Sequence, residues 1–373
     1  MTKDKKIKVA ILFGGQSAEH EISLQSAKNV AAAIDRRKYD VVLVGITKTG
    51  RWYLCEESNF VLHADSPRLI KLQKTGDSLA LCLGGGAGRF ISLFDNREIG
   101  PIDVVFPVLH GPFGEDGTVQ GLLKLANMPF VGAGVLGSAV GMDKEVMKRL
   151  LREAHIPVAD FVVLNRSKAG EIDFETVKKR LGQPMFVKPA NLGSSVGISK
   201  VKNEDEFGEA VALALKYDNK ILVEEYIEGR EIECSVLGNE NPIASVPGEI
   251  IPRHEFYSYD SKYIDENGAA LEIPAGLSDN VTKKVQACAV KAFEVLCCEG
   301  MARVDFFVRK NGDVIVNEIN TIPGFTKISM YPKLWEASGI SYSELIDRLI
   351  QLAIERFRRE LKYSNSDASE SRH

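Results

Sequence analysis

A chain of 373 residues is long enough for two or three domains, each with its own buried core. Its 45% hydrophobic and 26% charged residues are the proportions of an ordinary globular protein. A net charge of -4 leaves no basic footprint for nucleic acid or an anionic membrane, and no run of 18 apolar residues offers a membrane span. Met1 to Lys6 has no signal-peptide-like apolar core, and Cys55, Cys82, Cys234, Cys288, Cys297 and Cys298 lack metal-ligand spacing. The expectation is a cytoplasmic protein with reduced, mostly buried thiols.

In chain order, Lys8 to Phe13 is a continuous apolar run closed by Gly14-Gly15, the pattern of a parallel strand covered on both faces. A helix follows with Leu24, Ala27, Val30, Ala31 and Ile34 along one stripe, then a strand from Asp40 to Ile46, so a βαβ unit opens the chain. The glycine turn before that helix suits a small polar ligand bearing an amine, which Glu19 could pair; alternatively Glu19 only favours the helix N-terminus. Residues 60–100 carry no clear elements, and Leu83 to Gly88 reads as a mobile hairpin or loop. The strand Asp103 to Val108 ends in a loop from Leu109 to Thr118, with His110 directly after the strand, where open α/β sheets bind ligands.

Met128 to Gly132 is a short strand, and Asp143 caps a helix with Met147, Leu150, Leu151 and Ala154 along one side. Lys144 in its first turn opposes the helix dipole, which a bound phosphate would explain. Met185 to Pro189 is a strand ending in Lys188-Pro189, followed by a loop containing Gly193, Ser194, Ser195 and Gly197 that can wrap phosphates through backbone and hydroxyl donors. Val196 to Val201 reads as a returning strand, so this is no Walker loop. Ile221 to Glu231 passes from a buried strand into a linker that could hold a base and ribose, or simply connect domains. Gly248 to Pro274, rich in Tyr, Asp and Lys, is long enough to be a lid. A helix from Asp279 to Cys297 precedes a hairpin, and a final helix, about Ser341 to Leu361, turns Leu345, Leu349, Leu352 and Ile354 inward ahead of a disordered polar tail.

The hairpin is the most informative stretch. Asn311-Gly312 separates Arg303-Val304-Asp305-Phe306 from Val314 to Asn320, and a two-residue loop there sets Lys310 against Asp313, Asp305 against Glu318 and Arg303 against Asn320. Two carboxylates, an amide oxygen and a guanidinium then share one face. Opposed carboxylates repel unless a cation sits between them, and oxygen-only ligands suit a hard ion such as Mg²⁺ beside nucleotide phosphates. A solvated polar hairpin face is the alternative.

Gly14 to Ser23, His110 to Gly117, Lys188-Pro189 with Gly193 to Gly197, and Asn317 to Thr326 together closely resemble the D-alanine–D-alanine ligase family of ATP-grasp enzymes. The resemblance covers nearly the whole chain. It implies an α/β fold (α+β in the ATP-grasp part) in three domains: a Rossmann-like parallel-sheet domain over 1–140, a central ATP-grasp subdomain over 141–227, and a C-terminal domain with lid and metal hairpin over 228–373. It implies ATP-dependent joining of two D-alanines through an acyl phosphate for peptidoglycan synthesis, in a homodimer. Asp305, Glu318 and Asn320 would hold two Mg²⁺ (or Mn²⁺) ions. Lys144, Lys188 and Lys262 would contact phosphates with Ser195, and Glu224, Glu225, Ile227 and Glu231 would line the adenine and ribose. Glu225 is acidic where the family pattern suggests lysine. Glu19 with His110 would take the first ammonium, and Arg303 the developing charge. Gly324, Ser329 and Met330 would surround the second carboxylate. Ser194, Tyr263 and Glu19 would join lid, phosphate loop and first domain. A lid tyrosine is uncharged near neutral pH, and neighbouring Lys262 points away on an extended segment, so the expected nucleophile is an amine rather than D-lactate. The alternatives are a D-alanine–D-lactate ligase, another ATP-grasp carboxylate–amine ligase, or a nucleotide sensor without turnover.

Overall fold

A computed structural model describes residues 5–63, 66, 69–84, 88–171, 173–252 and 269–370. Tyr263 and Lys262, with most of the expected lid, lie outside them. Its flanks do not: Gly248–Pro252 and Ala269–Glu272 pair antiparallel as a hairpin stem.

The strand Ile7–Gly14 lies between Tyr39–Ile46 and Val104–Pro107, parallel to both, and a lone parallel bridge joins Val105 to Phe130. Val9, Ile11 and Phe13 pack under the helix His20–Ala33, whose Leu24, Ala27, Val30 and Ala31 are buried as the stripe requires. Ala10 and Leu12 face the opposite layer, beside Val119 and Leu123 of the helix Thr118–Leu125. An apolar run covered on both faces is thereby accounted for. Beyond Tyr39–Ile46 the sheet continues through four antiparallel strands, Trp52–Cys55, Ser78–Leu81, Gly88–Ser92 and Glu98–Ile102. Two of these fall in the stretch 60–100 and a third begins in it, where four- and five-residue segments are too short to show a period. Leu83 to Gly88 joins two of them as a hairpin, with 85–87 outside the described residues.

A second sheet orders Phe161–Asn165, Lys220–Glu225, Met185–Pro189 and Ser199–Val201, all antiparallel. Met185, Val187, Ile221 and Val223 turn toward the helices Phe174–Leu181 and Glu204–Ala214. Alternation therefore sends Lys188 and Glu224 to the other face. A third sheet runs Ala269–Glu272, Gly248–Pro252, Arg230–Gly238, Gly300–Val308 and Val314–Asn320, with the helix Asp279–Val295 over its apolar face.

The helix Lys144–Glu153 is capped by Asp143, whose carboxylate accepts from the backbone N–H of Glu145 and Val146, both at 3.1 Å. Met147 and Leu151 are buried as expected, but Leu150 is exposed, and Lys144 and Lys148 occupy buried positions instead. The last helix, Tyr342–Glu370, buries Leu345 and Leu349 along with Ile346 and Ile350. Leu352 and Ile354 are only partly buried. Its backbone stays helical to Glu370, so the expected disorder from Leu361 onward is corrected over that span. This helix and Tyr331, Trp335 and Phe325 before it enter the same core as Val9, Ile11 and Phe13.

Arg356 fastens that helix in place. It is buried, stacks 4.4 Å over the Phe130 ring, and donates to the carbonyls of Phe130 (2.7 Å) and Gly132. Arg356→Met should cost about 2–4 kcal/mol, because two buried carbonyls lose charged donors. Urea unfolding with an unchanged midpoint would remove this clasp from the stability of the fold.

Candidate active site

The hairpin reaches its expected register by an unexpected route. Arg309 and Asp313 close a three-residue loop, with Gly312 at φ +83°, a left-handed conformation that glycine adopts without strain. The outer pairs are therefore Val308–Val314, Phe307–Ile315 and Phe306–Val316, and Lys310 does not face Asp313. A β-bulge between Asp305 and Phe306 then shifts the register by one. Asp305 comes to lie opposite Glu318, and Arg303 opposite Asn320, as the sequence suggested. Two consecutive half-buried residues, Asn317 and Glu318, mark where the alternation breaks.

On the other neighbouring strand, Glu233 lies opposite Asp305, so three carboxylates cross three strands in one row. Arg303 resolves half of the repulsion. Its Nε lies 2.8 Å from Glu233 and 2.7 Å from Asp305, and its Nη2 donates to Asp305 at 2.8 Å. The amide nitrogen of Asn320 donates to Asp305 at 3.0 Å, and Lys144 Nζ lies 3.2 Å from Glu318. The donors left beside Glu318 are carboxylate and amide oxygens, a set that fits a hard divalent cation and would hold a softer one poorly. Among the described residues no group of three His, Cys, Asp or Glu side chains is arranged to hold a metal by itself.

Lys144 also donates 2.7 Å to the Leu192 carbonyl, tying the hairpin to the loop after Pro189. In that loop Ser194 and Ser195 both take positive φ, +52° and +59°, uncommon for residues with a Cβ. Ser194 Oγ donates a short hydrogen bond to the Glu19 carboxylate. Glu19 sits at the start of its helix, but its carboxylate makes no cap; it is buried and turned toward that loop. The first and second sheets thus meet at the Ser194–Glu19 contact.

Lys188 and Glu224 form a buried ion pair of 2.6 Å. On its other oxygen Glu224 meets Lys148 at 3.4 Å. Burial pushes the Glu224 carboxyl up, but these two ammoniums overcome it and hold it below its ordinary value. Burial, helped by the ammonium of Lys188, brings Lys148 down to about 8 against the opposing pull of Glu224. Glu225 is turned away, accepting from the Asp160 backbone N–H at 2.7 Å. Ile227 is buried with Ala159, Ile315 and Phe307, and Glu231 stands two residues before Glu233 on the same strand.

His110 is clasped at both ring nitrogens: Nδ1 lies 3.0 Å from the Ile322 carbonyl and Nε2 3.2 Å from Ser26 Oγ. A carbonyl can only accept, so Nδ1 carries the proton, and burial holds the pKa below its ordinary value and the ring neutral. Glu115 accepts from the backbone N–H of Gly111 (2.7 Å) and Ile322 (3.3 Å). Burial, then the nearby Glu19 charge, pushes its carboxyl up to about 8. The His110 loop and the segment after Asn320 are therefore pinned together. Further along, a Cβ on Gly324 would stand 2.7 Å from Ser329 Oγ, so the close approach of that hydroxyl requires glycine. Ser329 Oγ accepts from the Thr326 N–H at 3.0 Å at the start of the helix Met330–Ala337, and Met330 is buried behind it.

Among the described candidates, Lys144 links the hairpin to the loop after Pro189, Ser194 links that loop to Glu19, and His110 links the first sheet to the segment after Asn320, while Glu225 stands apart. Lys148, Glu233 and Glu115 join them without having been singled out. Lys148 looks like one of many surface lysines in the sequence, yet its spacing of four from Lys144 placed it on the same helix face.

A family model described as D-ala D-ala ligase N-terminus matches residues 8–133, and one described as D-ala D-ala ligase C-terminus matches 150–351. A D-alanine–D-alanine ligase of Oceanobacillus iheyensis is 54% identical over 97% of this chain and 100% of its own length. D-alanine–D-alanine ligase A of Escherichia coli K12 is 53% identical over 94% of this chain and 97% of its own. Among solved structures, the D-alanine-D-alanine ligase of Coxiella burnetii superposes with a TM-score of 0.87 at 43% identity, over 99% of both chains. The VanG D-Ala:D-Ser ligase of Enterococcus faecalis superposes with 0.83 at 36% identity, over 94% of this chain and 100% of that one.

Proposed function

Since the chain belongs to the D-alanine–D-alanine ligase family, we propose that its three sheets divide the ATP-dependent ligation of two D-alanines among themselves. A carboxylate is inert toward amines, so ATP first converts the carboxyl of one D-alanine to an acyl phosphate, and the amine of the second displaces phosphate. On this reading residues 1–140 hold the first D-alanine, 141–227 the adenine and phosphates, and 228–373 the metal and the second D-alanine. The observation that carries it is the row Glu233–Asp305–Glu318 with Arg303 and Lys144 beside it.

Glu19 pairs the first ammonium, positioned by its contact with Ser194. His110, neutral and held at both nitrogens, fixes the loop around that amine. Arg303, oriented by Glu233 and Asp305, points a permanent charge at the carboxyl under attack, where the oxyanion develops. Lys144 and Lys188 take phosphate oxygens, with Ser195 of the loop between them. Asp305, Glu318 and Asn320 would hold the divalent metal, two Mg²⁺ or Mn²⁺ in our reading, which would supply charge neutralisation to the phosphates. Ser329, held by Gly324 and Thr326, and Met330 receive the second carboxylate. Tyr263 and Lys262 complete the lid. The assembly is a homodimer in the cytoplasm; no helix among the described residues is long and apolar enough to cross a membrane.

ADP release measured with and without D-alanine tests this directly. Offered D-alanine, D-lactate and D-serine in equal amounts at neutral pH, the protein should make overwhelmingly D-alanyl-D-alanine. A product that is mainly the ester, or ATP turnover indifferent to D-alanine, would sink the assignment.

A further inference from the structure

Two buried ammoniums share one buried carboxylate. Lys148 is fully buried, Lys188 and Glu224 nearly so, and the two oxygens of Glu224 are divided between them, Oε1 toward Lys148 at 3.4 Å and Oε2 toward Lys188 at 2.6 Å. Among the described residues Lys148 Nζ has no hydrogen-bond acceptor, only this ion pair. The cluster therefore carries one positive charge in excess in a dry interior. Buried charge of this kind is costly unless an anion completes it, and an equal-volume apolar packing would suit stability better. The excess lies at the end of the strand Met185–Pro189, directly before the loop with Ser194 and Ser195.

We propose that Lys148 is a positioning residue for ATP: it stays on Glu224 and so releases Lys188 to a phosphate oxygen. The inference rests on the reading of Lys188 given above. With Lys148 absent, the move of Lys188 from carboxylate to phosphate would leave Glu224 buried and uncompensated, and Lys188 would remain locked to it. With Lys148 present, the carboxylate keeps a partner throughout and the pair with Lys188 becomes expendable. Lys148 cannot follow the nucleotide, because it projects from a helix interior with no exposed surface. Its neighbour Lys144, one turn earlier, is tied to Glu318 and the Leu192 carbonyl, which fixes the helix against both sides of the phosphate site. The lowered pKa of Lys148 has the same origin, burial with Lys188 beside it.

The test is Mg·ATP titration and steady-state kinetics on Lys148→Met, a near-isostere without the charge. We expect the KM and Kd for ATP to rise at least about tenfold and kcat and the KM for D-alanine to stay within about threefold; because Glu224 itself stands among the adenine and ribose residues, the effect of Lys148→Met is also measured against Glu224→Gln alone, where it should largely vanish. Unchanged ATP binding in Lys148→Met, or an equal loss when Lys148→Met is added to Glu224→Gln, overturns the proposal. If the single variant does not fold, the comparison moves to the Glu224→Gln background, where adding Lys148→Met should change ATP binding less than about twofold. A further tenfold loss there would mean a direct nucleotide contact and overturn it too. Lys188→Ala, run alongside, separates the two levels. Weakened ATP with Lys188→Ala but not with Lys148→Met removes only the role of Lys148, whereas unaffected ATP with Lys188→Ala removes the phosphate site itself.

Discussion

Glu318→Gln should leave a folded protein whose turnover is lower by at least about a hundredfold, because the charge stabilisation lost with a bound cation is worth several kcal/mol. The substitution keeps the shape of the side chain and its place opposite Asp305. It removes the charge that faces Lys144 at 3.2 Å, but Lys144 keeps its bond to the Leu192 carbonyl, so the helix and the loop stay where they are. The expected signature is a collapse of kcat at saturating Mg²⁺ and ATP, with a thermal unfolding curve close to that of the unmodified chain. Near-normal Mg²⁺-dependent turnover in the folded variant would take this hairpin out of the chemistry.

Arg303→Lys is expected to lower kcat by about 10²–10³, the scale seen when one preorganised donor to a developing oxyanion is lost. A lysine keeps the charge, so Asp305 and Glu233 are not abandoned. A single ammonium cannot reproduce the planar fork that contacts Glu233 at 2.8 Å while engaging both oxygens of Asp305 at 2.7 and 2.8 Å. The charge therefore sits in the site without a fixed direction. The KM for ATP should move little, since the loss falls on the step after nucleotide binding. Single-turnover rates within threefold of the unmodified protein would show that Arg303 serves only to neutralise its two acids.

Much of this arrangement was legible in the residues. The parallel centre of the first sheet follows from apolar runs, the Lys188 strand from its length and flanks, and the opposition of Asp305 and Glu318 from a turn signal. That last inference arrived at the right pairing through two offsetting errors. The loop has three residues where two were expected, and a bulge that no periodicity announced returns the register. Short edge strands such as Gly88–Ser92 have too few residues for alternation to register, and the tertiary sheet supplies what local preference does not. Lys148 and Glu233 were overlooked for another reason. A charged residue reads as surface unless its partners are known, and theirs come from strands 76 and 72 residues away, at Glu224 and Asp305.

The shared core of the first sheet bears on how the protein is made. Val9, Ile11 and Phe13 share a core with Tyr331, Trp335, Leu345, Leu349 and Ile350, which lie far along the chain. Until that segment joins it, the opening βαβ unit has an apolar flank left open, although domains made early generally fold first. The opening unit therefore depends on contacts of very long sequence separation, the kind that slows folding, and its core closes only when residues 331–350 have packed onto it.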